Sequence, residues 1–313
     1  MLADASHDAF VVVQCTLPII ISTALRYHCH SQHQTMTSMK FSPALLTLAF
    51  ILLTTIGMAP SHGDAQEPAT VYLEEMTSPE LRARIADGNR TILVPIGGTE
   101  QNGAHMVLGK HNVRARILAG MIARQLGHAI VAPVISYVPE GAIHPPEAHM
   151  RFAGTISVPV ATFESLLEGT ARSFRQHGFH RIIFLGDHGD YQQAIARTAQ
   201  RLNREWASDP SCRAYALPAY YEAGQTAFAE HLKAQGFSDA QIGTHAGLLD
   251  TSLALAIDPA LVRTDLLGPD KPPVPREGVR GDPRAASAAL GLTGVRMIVD
   301  ASVAAIRKLP PLE

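Results

Sequence analysis

The sequence predicts an α/β domain in which a mostly parallel sheet is covered by helices on both faces. Three observations carry that expectation. Short β-branched apolar runs alternate along the chain with longer segments of helical apolar spacing. Glycines close the helical segments, at Gly127 and Gly178. Polar, metal-capable residues gather just beyond strand ends, which is where ligands bind in such sheets.

Taken in order, TILVPI (Thr91–Ile96) ends at Gly97-Gly98 and reads as a buried strand entering a loop. Over 112–126, Val113, Ile117, Leu118, Met121, Ile122 and Leu126 recur with helical spacing. AIVAPVISYV (Ala129–Val138) is a second β-branched run. Residues 162–177 predict a helix with Thr162 as N-cap and Phe163, Leu166, Leu167 and Phe174 on one side. RIIFL (Arg181–Leu185) is the clearest buried strand; it runs into Gly186-Asp-His-Gly-Asp190, and a helix over about 192–206 follows. The stretch 266–284, rich in Pro and Gly, is expected to be a long surface loop, and a last helix over about 283–308 closes the domain.

Of the 313 residues, 46% are hydrophobic and 17% charged, and Lys+Arg 26 against Asp+Glu 28 leaves a net charge of −2. Such a composition excludes a mainly disordered chain, a collagen-like repeat, a disulfide scaffold and a basic nucleic-acid binder. The count that stands out is 15 histidines, because histidine is both the commonest metal ligand and the usual acid or base near neutrality.

Residues 1–65 are expected to lie outside the fold. FSPALLTLAFILLTTIGM (Phe41–Met58) follows Met39-Lys40 and precedes a small, polar exit, the layout of a secretory signal peptide cut near Ala65-Gln66. The alternative is an uncleaved membrane anchor through 41–58, which is borderline in length for a span. Residues 1–37 suit neither reading, and Met36 or Met39 is the better-placed start. After cleavage the protein would be periplasmic or secreted, with no stable membrane partner. Cys212 would be its lone cysteine, so no internal disulfide is expected. Residues 66–313 are read as a single domain.

Within that body, GGTEQNGAHMVLGKHN gathers Glu100, Asn102, His105 and His111 after one buried strand. GDHGD gathers Asp187, His188 and Asp190 after another, and THAGLLDTS places His245 and Asp250 where a helix starts. A lone loop histidine is more often solvated than functional; several at strand ends that converge in space are another matter. His128, His144, His177, His180 and His231 have no such company and are expected at the surface.

These segments resemble the creatininase (creatinine amidohydrolase) family. Its first motif runs Glu-Gln-His-Gly-Pro-His-Leu-Pro followed by an aspartate, and here the chain has Glu100-Gln-Asn-Gly-Ala-His105 and then His111. The family's second motif, Asn-Gly-His-Gly-Gly-Asn or a variant with an acid two after the histidine, is similar to Gly186-Asp-His-Gly-Asp190. His149-Met-Arg-Phe-Ala-Gly-Thr155 resembles His-x-x-Phe-Pro-Gly-Thr, and His245-Ala-Gly-Leu-Leu-Asp-Thr-Ser252 resembles His-Ala-Gly-x-x-Glu-Thr-Ser. The resemblance extends from about Val71 to Ile306. It implies a three-layer αβα sandwich, a homo-oligomer (a hexamer in many members), and metal-dependent hydrolysis of amide bonds, often in small cyclic compounds.

By position the resemblance implies metal ligands at Glu100, Asn102, His111, His188 and Asp190, the family having histidine where Asn102 stands and a metal-bridging aspartate where His111 stands. A neutral imidazole offers one lone pair to one ion, so His111 cannot bridge two ions as a carboxylate can. Asn102 is a weak neutral donor. The remaining set of Glu100, His111 and His188, two imidazoles and a carboxylate, suits one catalytic zinc with a position open to water. Mn2+ or another divalent ion is the alternative, and a second ion is expected to be weak or absent. Asp190 is then free to orient the attacking water or accept its proton. His245 is expected to serve as the acid for the leaving nitrogen, and Asp250 to orient a ligand or His245. His105 and His149 are expected as pocket walls or supporting residues, and Asp187 as a substrate contact or turn cap. Two other functions compete: a peptidase, amidase or lactonase acting on a small peptide-like compound, and a non-catalytic metal-binding exported protein. Creatinine itself is disfavoured by the altered metal motif.

Overall fold

The computed structural model describes residues 70–267, 270–271 and 278–311. The expected signal segment 41–58, the stretch 1–37 and the middle of the Pro/Gly-rich loop lie outside the described residues. The body belongs to one compact unit spanning Gln66–Glu313.

Helix α1 (Ser78–Ala86) opens on a capping box, with Thr77 N–H donating to Glu80 Oε2 at 2.7 Å. Strand β1 (Thr91–Ile96) leads through a loop to α2 (Lys110–Leu126), and β2 (Ala129–Val131) follows. Then come α3 (Val160–Gln176), β3 (Arg181–Gly186), α4 (Gln192–Glu205) and β4 (Arg213–Ala216). A run of helix follows as α5 (Pro218–Glu222), a π turn over Ala223–Ala227 and α6 (Phe228–Ala234). The short α7 (Asp239–Ile242), α8 (Leu248–Ile257) and α9 (Ala288–Arg307) complete the chain.

The four strands are all parallel, in the order β2-β1-β3-β4. Continuous apolar runs make buried strands because each face of the sheet needs its own set. Leu93, Val131, Ile183 and Leu185 meet Leu118 and Ile122 of α2 together with α8 and α9. Ile92, Val94, Ile96, Ile182 and Phe184 meet Phe163 and Leu167 of α3 and Ile195 and Leu202 of α4. The result is the expected αβα layering. The chain leaves β1 toward β2 on one side and β3 toward β4 on the other, so the carboxyl ends of β1 and β3 face a topological switch point.

The structure corrects two sequence expectations. The strand read as Ala129–Val138 stops at Val131 and regains only a single pairing, between Ile135 and Ile96. Leu93 O accepts from Ala132 N and Pro95 O from Ile135 N, so β1 turns Leu93 and Pro95 toward β2. Pro95 and Pro133 both lack an N–H, and the ladder cannot continue between them. The helix expected from about 283 starts instead at Ala288, where the Ser287 hydroxyl accepts from Leu290 N–H at 3.3 Å. Sequence reading also passed over β4 and the helical run 218–234.

Helix α9 lies close on α8. A Cβ added at Gly291 would fall 1.8 Å from the Ser252 carbonyl oxygen, whereas one added at Gly169, on the exposed side of α3, would meet nothing within 4 Å. Gly291→Ala is therefore expected to lower unfolding free energy by about 1–3 kcal/mol. Gly169→Ala should raise it by about 0.5–1 kcal/mol. Urea denaturation midpoints of the two variants check the pair.

Candidate metal centre

The loop leaving β1 turns at Gly98, whose φ of +154° puts it outside ordinary side-chain territory. Glu100 follows, fully buried, its N–H donating to Leu108 O at 3.1 Å across the closed loop. Asn102 ties that loop together: its Nδ2 donates to Glu100 O at 2.9 Å and Val107 O at 3.2 Å.

His111 sits in the first turn of α2. Its Nδ1 lies 2.5 Å from Asp187 Oδ2 and its Nε2 lies 2.9 Å from Glu100 Oε1. Arg114 Nη2 also approaches Nδ1, at 3.1 Å, but a guanidinium can only donate, and the shorter contact to an acceptor assigns the Nδ1 proton to Asp187. With protons on both nitrogens the ring donates to both carboxylates; once Nε2 gives up its proton, its lone pair faces Glu100 Oε1 across 2.9 Å, a gap that a cation fits.

His188 comes from the turn after β3, where Gln192 Nε2 holds the carbonyls of Gly186 at 2.9 Å and His188 at 2.7 Å. Its Nε2 lies 3.6 Å from Glu100 Oε2. Burial pushes its imidazole down to about 4, keeping it in the neutral form that binds metals. Glu100, His111 and His188 can each point one ligand atom so that all lie within 4.8 Å of one another. Glu100 Oε2 is buried without a hydrogen-bond partner among the described residues. Burial works against its ionisation, but the His111 hydrogen bond and the surrounding positive groups outweigh burial and hold the carboxyl well below its usual range. An orphaned buried oxygen, a carboxylate and two imidazoles fit a divalent ion.

Two more histidines close on the same glutamate. His149 Nδ1 is 3.2 Å from Glu100 Oε2, and His245 Nδ1 is 3.7 Å from Glu100 Oε1. These three also form a compact group of potential ligands. His245 Nε2 lies 2.9 Å from the Gln101 carbonyl oxygen, which can only accept, so Nε2 carries the proton and Nδ1 is open. Burial, with the Lys110 charge adding to it, pushes His245 down to about 4. A cavity of about 610 Å³ opens over the group, lined by His149, His188, Asp190 and His245 with Phe152 and Tyr221.

Of the other expected site residues, Asp187, Asp250, His105 and Asn102 fall behind this layer. Asp187 is buried, ion-paired to Arg114 Nε at 2.8 Å, and also accepts from the Tyr220 hydroxyl at 2.8 Å; it holds His111 and does not line the cavity. Asp250 accepts from Lys110 Nζ at 2.9 Å, Arg114 Nη1 at 3.1 Å and Ala246 N–H at 3.0 Å. His105 is buried against the Thr251 hydroxyl at 3.1 Å and is not a cavity wall. Asn102 commits its Nδ2 to the loop, and its Oδ1 is buried without a partner among the described residues. Asp190, exposed, groups with His188 and a residue that sequence reading missed, Glu140.

Lys110 and Arg114 were also missed. Both are buried, and Lys110 Nζ approaches Glu100 Oε1 at 3.7 Å as well as Asp250. Their spacing around His111, one residue before and three after, puts all three on one side of α2's first turns, the only sequence signal they offered. Glu140 follows Pro139 in irregular chain and carried no signal. Burial, then the Glu100 and Asp190 charges, push its carboxyl up to about 9.

The fold and this centre define a class, a metal-dependent hydrolase on an αβα sandwich. Comparison with known proteins gives the family. The creatininase (creatinine amidohydrolase) family model matches residues 74–306, more than half of the chain. Creatinine amidohydrolase of Pseudomonas putida is 27% identical over 206 residues, 65% of this chain and 78% of that protein. Mycofactocin precursor peptide peptidase of Mycolicibacterium smegmatis is 31% identical over 221 residues, 64% of this chain and 77% of that one. A crystal structure of creatinine amidohydrolase superposes with a TM-score of 0.65 at 25% identity, covering 78% of this chain and 100% of that chain. A manganese form of creatininase superposes with a TM-score of 0.63 at 26% identity, covering 77% and 100%. The chain belongs to the creatininase family and is a metal-dependent amidohydrolase, a hydrolase of carbon–nitrogen bonds.

Removing Arg114 would strand two buried carboxylates. Arg114→Met is expected to cost about 3–5 kcal/mol of stability, measured by urea denaturation. Burial opposes the ionised forms of Asp187 and Asp250, yet Arg114 (for Asp250, Lys110 first and then Arg114) depresses both below their usual values. Groups so depressed stabilise the fold above their unfolded value, roughly pH 4, and lose that contribution as pH falls through the folded value. The wild-type denaturation midpoint should therefore fall steeply in acid, and that of Arg114→Met should fall less.

Proposed function

We propose that the protein hydrolyses a carbon–nitrogen bond of a small amide, preferably cyclic, with Glu100, His111 and His188 holding a divalent ion, Zn2+ first and Mn2+ as the alternative. The observation that carries this reading is the facing pair of His111 Nε2 and Glu100 Oε1, 2.9 Å apart with the other imidazole nitrogen already committed to Asp187. When bound, the ion supplies Lewis acidity, polarising a carbonyl and lowering the pKa of a water.

The chain's own residues do the rest. Asp187 fixes the tautomer and orientation of His111, as a carboxylate behind a ligand histidine does. Asp190, exposed on the turn beside His188 and lining the cavity, accepts the proton of the attacking water. Nδ1 of His245, open because its Nε2–H is held by the Gln101 carbonyl, takes up the remaining proton of the attacking water and passes it to the departing nitrogen, while Asp190 returns its own proton to solvent. Lys110 keeps a fixed positive charge 3.7 Å from Glu100 Oε1, lowering the cost of that buried carboxylate.

A second reading, cleavage of a short peptide, is favoured by the 31% identity to the peptidase of Mycolicibacterium smegmatis. A panel of cyclic amides set against short peptides separates the two. Export is supported by the apolar stretch 41–58 and its polar exit. Assembly into a homo-oligomer, a hexamer by family resemblance, is supported by the exposed apolar side chains of Tyr137, Ile143 and Leu166. Light scattering of the mature chain tests the assembly, and fractionation of expressing cells tests the location.

Chelation is expected to abolish hydrolysis, with Zn2+ or Mn2+ restoring it. Asp187→Asn should weaken metal affinity by about 10–100-fold, measured by competition with a chromophoric chelator. His245→Ala should lower kcat by about 10²–10⁴-fold while metal content stays at the wild-type value. A His245 variant with wild-type turnover would remove that residue from the reaction.

A further inference from the structure

The cavity over the centre is larger than a bare cyclic amide requires. At about 610 Å³ it falls in the range that holds drug-sized ligands. Its charged residues are also divided. Asp190, on the turn after β3 with His188, is the one acid among the described lining residues. Arg151 and Arg280 line the cavity too. Both are exposed, and neither side chain has a hydrogen-bond or ion-pair partner among the described residues. Exposed arginines are ordinary, so position decides what these two can do.

Each arginine is tied through the backbone to one ring of the His149–His245 pair, whose centroids lie 4.5 Å apart. Arg151 ends the short helical turn Ala148–Arg151 that carries His149. Arg280 is paired with His245 itself: its N–H donates to His245 O at 2.8 Å, and its carbonyl oxygen accepts from Thr244 N–H at 2.8 Å and His245 N–H at 3.2 Å. The chain keeps space for that pairing, since a Cβ at Gly243, whose φ is +67°, would fall 2.0 Å from Arg280 O. The two segments also meet directly. A Cβ at Gly278, two residues before Arg280, would stand 3.1 Å from Cε2 of Phe152, the residue after Arg151. The arginines belong to the segments that carry His149 and His245, and Asp190 to the turn that carries His188.

We infer that Arg151 and Arg280 receive a carboxylate on the amine half of the substrate, so that the amides hydrolysed are N-acyl amino acids or lactams with a carboxylate on the carbon bearing the ring nitrogen. The inference rests on the role proposed for His245: the nitrogen that it protonates lies on its side, and the group attached to that nitrogen extends toward the arginines. The last peptide bond of a short peptide has the same arrangement, so both readings above share it. A planar guanidinium pairs a carboxylate through two parallel hydrogen bonds, which fixes direction as well as charge. A carboxylate on the acyl half would instead meet the like charge of Asp190. The reaction balances as hydrolysis: the C–N bond breaks, the water oxygen goes to the acyl carbon, and both water protons end on the amine. The products are a carboxylate and a zwitterionic amino acid.

The test uses the Zn2+-loaded protein and three compounds of related skeleton. N-acetylphenylalanine has its carboxylate on the amine half, N-phenethylsuccinamic acid has it on the acyl half, and N-acetylphenethylamine has none. 5-Oxoproline against 2-pyrrolidinone gives the cyclic comparison. Binding is read by calorimetry and amine release by chromatography, in the wild type, Arg151→Gln, Arg280→Gln and the double variant. N-acetylphenylalanine is expected to bind the wild type about 10–100-fold more tightly than the other two, and 5-oxoproline to exceed 2-pyrrolidinone in the same way. The preference should shrink in each single variant, approach unity in the double variant and weaken as salt is raised. Equal binding of the three compounds by the wild type overturns the inference, as does equally tight binding of N-phenethylsuccinamic acid. A preference that persists in the double variant also overturns it, because the carboxylate would then be held by the metal ion. Calorimetry keeps the inference apart from the reading beneath it. An arginine-dependent preference without amine release leaves the carboxylate site standing and removes the proposed hydrolysis; amine release without that preference does the reverse.

Discussion

The centre depends on one buried guanidinium. Arg114, in the second turn of α2, reaches Asp187 at the end of β3 and Asp250 in the first turn of α8, while Lys110, one turn earlier, reaches Asp250 and Glu100. Three segments are pinned to one helix by five charged side chains, all withdrawn from water. Buried pairs like these recover little net stability once desolvation is counted. Their contribution is geometric: the carboxylate that satisfies Arg114 also stands 2.5 Å from His111 Nδ1, so the clamp that joins the layers also sets the tautomer of a proposed ligand. Such a clamp tolerates no partial loss, because removing either sign leaves the other unpaired in the interior.

Most of the fold was legible because its signals are local. Apolar runs such as RIIFL must be buried on both sides, and glycines at 127 and 178 end helices wherever the tertiary structure puts them. The failures came where a local signal met a partner. AIVAPVISYV reads as one strand, but Pro133 and, on β1, Pro95 both lack an N–H, and the regular pairing ends at Leu93 and Val131. The site was legible in the same uneven way. Histidines and acids at strand ends announce themselves by kind, and Glu100, His111, His149, His188 and His245 do come together. Lys110 and Arg114 did not, because charged residues in a helix's first turns ordinarily face water. Only the convergence of Asp187 and Asp250 turns that side inward. Glu140 needed still more: the space made by Gly98 and a backbone fixed by Ser157, neither of which forms a pattern.

The departures from the family motif now have a physical setting. Asn102 spends both protons of Nδ2 on the carbonyls of Glu100 and Val107, closing the loop that presents Glu100. An imidazole cannot do this, since each ring nitrogen carries at most one proton. Position 102 has become part of the scaffold of the glutamate. The change at 111 is complementary. Replacing an anionic ligand with a neutral one removes a negative charge from the centre, and a buried lysine next to it adds a positive one. Both changes make the centre less negative and leave position 111 without the carboxylate that could be shared between two ions.

That shift in charge acts in the same direction as the burial that keeps His188 and His245 neutral. His245 lies under the field of Lys110 and is largely desolvated, so in the proposed reaction its second proton would arrive during turnover and leave with the product. An imidazole with one nitrogen fixed by a backbone carbonyl has only its other nitrogen to exchange protons, and Nδ1 of His245 is the one that faces Glu100 and the cavity. His149 packs against that ring with centroids 4.5 Å apart, which restricts its rotation. For the proposed reaction this leaves one exchangeable site, on a ring that is a poor base at rest and would become a donor when charge develops beside it.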